Sequence, residues 1–120
     1  MTDILDIDKI KDILQDFASV RDWNKFHNPK NLSMSLASEA GELLEVFRWM
    51  SETDSSQAYQ EPALQEKIAH ELADISLNLI RLAGLMKVNL SEAIRDKLAI
   101  INEKYPVELV KGSCKKYNEY

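Results

Sequence analysis

Two short runs place acids where an apolar helix face would be expected. Residues 38–45 read SEAGELLE and residues 70–78 read HELADISLN. Each carries an acid-x-x-acid pair, Glu39 with Glu42 and Glu71 with Asp74. Positions i and i+3 lie about 60° apart and about 4.5 Å along an α-helix, on one face. A buried carboxylate without a partner is costly, and no lysine or arginine stands within residues 38–46 or 71–80 to supply one. If the two helices pack antiparallel, the pairs face each other, and a cation between them would relieve the repulsion. Oxygen ligands without His or Cys select Mg²⁺ or Mn²⁺ over zinc. A site of that kind suits hydrolysis of a phosphoanhydride. On the pattern alone, a solvated acidic face and a metal site both stand open. A di-iron bundle does not fit, because it requires Glu-x-x-His on two helices. Here Glu66 is followed at that spacing by Ala69.

The acids must be held by helices. Ile4, Ile7, Ile10, Ile13, Leu14, Phe17 and Val20 recur at three- and four-residue steps and predict a first helix ending near Trp23. Asn28-Pro29 provides a cap and a first-turn proline for a second helix, running to about Ser51. The polar residues 51–61 read as a loop, closed by Pro62. A third helix is predicted from about Ala63 to Lys87. Asn89 with Glu92 resembles a capping box for a fourth helix, which ends near Lys104 before Tyr105-Pro106. The tail from about residue 105 is irregular. The expected fold is therefore all-α, a four-helix bundle-type subunit forming a single domain over residues 1–120. The third helix is apolar nearly all round: Leu72, Ile75 and Leu79 cover one side while Ala73, Leu77 and Ile80 cover much of the rest. Such a helix is buried on more than one side, so a homo-oligomer is expected.

Bulk properties narrow the class. The 120 residues amount to about one domain, and only three glycines and three prolines favour long helices over turn-rich sheet. A net charge of −5 argues against a nucleic-acid binder with a broad basic surface. No apolar run is long enough for a membrane span and no secretion leader opens the chain. The single cysteine, Cys114, offers neither an internal disulfide nor a zinc cluster, which fits a cytoplasmic protein.

The order and spacing of RDWNKFHNPKNL (21–32), SEAGELLEVFRW (38–49), ELADI (71–75), KYP (104–106) and KGSCKKY (111–117) resemble the MazG-like all-α nucleotide pyrophosphohydrolases, in particular the dCTP pyrophosphatase branch. The resemblance implies Mg²⁺-dependent cleavage of a nucleoside triphosphate to a monophosphate and pyrophosphate, in a tetramer. It makes Glu39, Glu42, Glu71 and Asp74 the metal ligands, with Glu39 either a ligand or the group that orients the attacking water. It puts Trp23 and Trp49 around the nucleoside, with room for one to be given by a neighbouring subunit, and Lys97 on the phosphates. Asn78, four residues after Asp74, points towards the same cleft and is a further substrate contact. Leu14, Asn78 and Ile101 depart from the branch's pattern and leave base preference open. Broader dNTP or dUTP hydrolysis, or a non-catalytic helical scaffold, are the alternatives. His27 reads as a structural loop histidine.

Overall fold

The computed structural model describes residues 5–119 apart from the Tyr117 side chain, so Ile4 of the first apolar stripe and the ring closing KGSCKKY lie outside the described residues. The order is α1 (Ile7–Val20), α2 (Pro29–Phe47), α3 (Glu52–Gln57), α4 (Pro62–Leu85), α5 (Leu90–Lys104) and α6 (Val107–Val110), with 3₁₀ turns at Ala58–Gln60 and Tyr117–Glu119. No strand occurs among the described residues, and the all-α class stands. None of these helices is long and apolar enough to cross a membrane.

Among the described residues six helices form where four were expected. The first addition, α3, lies inside the segment read as a loop. Ser51 Oγ accepts from the Asp54 N–H at 3.0 Å, and Glu52 and Asp54 sit in the first turn, where negative charge is favourable. Its residues are all polar, so no apolar stripe announces it. The second, α6, is a single turn after Pro106.

The chain divides into two compact units, residues 1–88 and 89–120. In the first, α2 and α1 both pack on α4, and the Ala58–Gln60 turn also lies against it. At Gly84 a Cβ would come within 3.0 Å of the Lys11 side chain, so the bare glycine lets α1 approach. Among the described residues only Ala18, Leu32, Ala58 and Ile80 are buried apolar ones, a thin core for helices of this length. In the second unit, Asn89 Oδ1 caps α5 by accepting from the Glu92 N–H at 3.1 Å, the forward half of the expected capping box.

Where α1 ends matters for the site. It stops at Val20, short of Trp23, because Asp22 takes a left-handed conformation (φ 55°). The Trp23 N–H then bonds Ala18 O at 2.9 Å and the Asp22 N–H bonds Ser19 O at 3.1 Å, the paired closure of a Schellman motif. No glycine marks the turn. Trp23 is thereby fixed at the start of the loop to α2. That loop ends at Asn28, whose Oδ1 accepts from the Asn31 N–H at 2.9 Å.

Candidate active site

Helix packing brings three of the four acids together. Carboxylate oxygens of Glu39 and Glu42 on α2 and of Glu71 on α4 lie within 4.8 Å of one another. Glu39 Oε2 and Glu71 Oε2 are both buried and have no hydrogen-bond partner. Two ionised oxygens cannot satisfy each other; a shared proton or a cation must stand between them. The facing Glu71 carboxyl, with which a protonated Glu39 shares its proton, then burial, then Glu42 and finally the charge of Asp74 push the Glu39 pKa from 4.5 up to about 7. Hard oxygen donors, two of them orphaned, fit a divalent cation such as Mg²⁺.

Asp74 is the fourth acid of the pattern. It stands outside this triad, but its charge reaches Glu39 and it lines the adjoining cleft with Glu39 and Asn78. The cleft has a volume of about 400 Å³, and Leu14, Phe17, Phe26 and His27 line it further on. At its far end lies Arg81, whose guanidinium donates to Gln15 Oε1, to Asn24 Oδ1 (2.9 Å) and to His27 Nδ1 (3.3 Å). His27, just before α2, therefore meets the end of α4, while Glu39 in mid-α2 meets Glu71. The two helices run antiparallel.

Residues 34–120 match the MazG-like family. The chain belongs to that family. This MazG-like chain is 35% identical over 113 residues to dCTP pyrophosphatase 1 of Mus musculus and 34% identical over 113 residues to that of Homo sapiens. Both alignments cover 94% of this chain and 66% of the relative, so the chain spans about two thirds of those proteins. The crystal structure of a pyrophosphatase from Archaeoglobus fulgidus superposes with a TM-score of 0.78 at 31% identity, covering 88% of this chain and 97% of that one.

The other expected site residues of the MazG-like chain fall in different places. Asn78 lines the cleft and donates its amide N–H to the Asp74 carbonyl at 3.0 Å, leaving Oδ1 as an acceptor. Trp23 does not line the cleft; it packs edge-on to Phe17 at 5.7 Å and beside His27 at 6.3 Å, and these two do. Trp49 lies beyond the end of α2, 83% exposed, with Arg48 over its ring at 4.5 Å. Lys97 is exposed on α5 in the second unit. Arg81 and His27 are the residues that sequence reasoning missed as cleft groups. The available signal was Arg81 itself, a lone cation seven residues after Asp74 on the same stripe of an otherwise apolar stretch.

The raised Glu39 pKa carries a sign. Between 4.5 and about 7 the folded protein holds a proton that the unfolded chain releases. The metal-free protein is thus expected to lose stability as pH rises through that window and to level off above it. Melting curves in EDTA across the window check this; a metal-free melting temperature that climbs with pH there would contradict it. Saturating Mg²⁺ should flatten the slope, because the cation replaces the proton.

Proposed function

We propose that the chain is a Mg²⁺-dependent nucleoside triphosphate pyrophosphohydrolase, with Mn²⁺ as a substitute ion. It cleaves a dNTP, dCTP or a modified dCTP first, to the monophosphate and pyrophosphate, in cytoplasmic nucleotide-pool house-cleaning. The carrying observation is the orphaned pair Glu39 Oε2 and Glu71 Oε2, on two facing helices beside the cleft that Glu39 and Asp74 line. The names of the relatives, dCTP pyrophosphatase 1 and a pyrophosphatase, support the same chemistry.

In this reading Glu42, Glu71 and Asp74 hold the cation, and Glu39 either joins them or orients the attacking water. When bound, Mg²⁺ neutralises phosphate charge and acidifies a water. Water adds to the α-phosphorus, the bond to the bridging oxygen of the β-phosphate breaks, and pyrophosphate leaves. A Glu39 pKa near 7 in the metal-free site suits a group that takes up a proton there. Asn78 Oδ1 is an acceptor for an amino-bearing base, as cytosine is. By the family resemblance Trp49 is assigned to the nucleoside, and Trp23 to it by way of Phe17 and His27, against which it packs. The exposure of Trp49 in one subunit supports a cleft completed by a neighbouring copy in a homo-oligomer, a tetramer. The family match runs through both compact units, which supports treating residues 1–120 as one functional domain.

Leu14 favours a second reading. It puts an apolar side chain into the cleft, where it cannot read a base edge, so several dNTPs, dUTP among them, would be accepted. Incubation with Mg²⁺ and each of the eight common NTPs and dNTPs separates the two. Selective release of dCMP and pyrophosphate, lost with EDTA, is expected; a flat profile across bases would establish the broader activity. No cleavage of any of them would turn the reading towards modified nucleotides or a scaffold.

A further inference from the structure

The far end of the cleft holds a charge that the chemistry at the acidic end does not use. Arg81 is 6% exposed, and among the described residues no carboxylate pairs with it. A buried cation without a counter-charge is costly unless its donors are satisfied. Here the fork is satisfied by neutral acceptors alone: Gln15 from α1, Asn24 and His27 from the loop before α2. The network continues, since Gln15 and Asn24 both donate to Ser19 Oγ at 3.0 Å. One side chain of α4 thus fastens the end of α1 and both sides of the Trp23–His27 turn.

The contact with His27 has a chemical consequence. A guanidinium can only donate, so Nδ1 of His27 must be the acceptor and carries no proton. The imidazole is then neutral with its hydrogen on Nε2. Burial and the charge of Arg81 both lower the His27 pKa, in the direction this requires. His27 lines the cleft, and Nε2–H is its one remaining polar group. Asp74 and Arg81 are seven residues apart on α4, about 10 Å along its axis, so this donor stands well away from the acids, at the nucleoside end.

We propose that Arg81 is a positioning residue for substrate recognition: it locks His27 as the neutral Nε2–H tautomer and so presents a fixed donor to a ring-nitrogen or carbonyl acceptor of the nucleobase. The assignment to a nucleobase rests on the proposed nucleotide reading of the cleft; the tautomer lock does not. A lysine cannot replace the arginine, because an ammonium lacks the planar fork that reaches three acceptors at once.

The test is ¹⁵N NMR of the imidazoles in the intact protein, which has only two histidines, with His27→Gln assigning the signals. The wild type is expected to show His27 with an unprotonated Nδ1 and a protonated Nε2 at neutral pH. Addition of dCMP, which needs neither metal nor turnover, is expected to shift the Nε2 signal. Any other tautomer in the wild type, or an Nε2 signal that dCMP leaves in place, overturns the proposal. In folded Arg81→Gln and Arg81→Lys the tautomers are expected to mix. KM for the triphosphate should rise about tenfold with kcat little changed, and His27→Gln should add little further to the Arg81 variants. A fall in kcat at unchanged KM would place Arg81 in the chemistry instead and sink the positioning role. If the wild type hydrolyses no nucleotide, the proposed function fails while the spectrum still decides whether Arg81 fixes the ring.

Discussion

Above about pH 7, where Glu39 is ionised in the metal-free site, Glu39→Gln is expected to abolish turnover, by on the order of a thousandfold or more, and at the same time to raise the melting temperature of the metal-free protein. Both effects come from the same oxygen. In the native chain Glu39 Oε2 and Glu71 Oε2 are buried together without a donor. Glutamine is nearly isosteric, removes one negative charge and brings an amide N–H that can donate to Glu71. The repulsion within the triad falls, so the metal-free fold gains by roughly a few degrees. The cost is borne by the function, since a neutral amide is a weaker ligand for a hard cation and cannot take up a proton. The stabilisation that Mg²⁺ gives to the wild type should shrink accordingly. Differential scanning calorimetry with EDTA or Mg²⁺, beside an assay of pyrophosphate release, reads all three changes. A variant that retains near-native turnover, or melts lower than the wild type in EDTA, would show that the triad is not the site.

The second large effect concerns assembly. Leu72 and Leu79 on α4 and Met86 at its C-cap recur every seven residues and are 49%, 40% and 54% exposed. Seven residues is nearly two turns, so they form one stripe along the helix that also carries Glu71 and Asp74. With four buried apolar residues as its core, the subunit has little stability to draw on by itself. Fully covering a leucine contributes about 1.5–3 kcal/mol and the exposed half of one about half as much, so Leu72→Glu with Leu79→Glu should weaken self-association by at least about tenfold. Light scattering after size-exclusion chromatography is expected to show the native chain as an oligomer and the double variant as a monomer of lower melting temperature. If the double variant keeps the native mass, the stripe is not the interface.

The sequence disclosed the parts of the molecule that depend on periodicity and on local caps. The long helices follow from apolar steps of three and four, and Asn28-Pro29 and Asn89 start α2 and α5 as caps should. The acid pairs could be read because i,i+3 spacing fixes a face before any packing is known. What stayed hidden has physical reasons. Helix α3 has no apolar face, so nothing periodic reports it. Asp22 closes α1 in a left-handed turn where a glycine signal was lacking, and this carried the expected helix end three residues too far. Arg81 is a cleft residue only because α1, α4 and a loop converge on it; its acceptors lie 54 to 66 residues away in the chain. Helix α2 ends at Phe47, short of the expected Ser51, so Trp49 lies beyond the helix.

One consequence reaches beyond catalysis. The seam between α2 and α4 is made partly of like charges, so a cation held there would also serve as a fastener for the fold. A cell short of that cation would hold a population of this protein that is both idle and looser, and looser chains are degraded faster. Its abundance, and not only its rate, would then follow the supply of divalent metal.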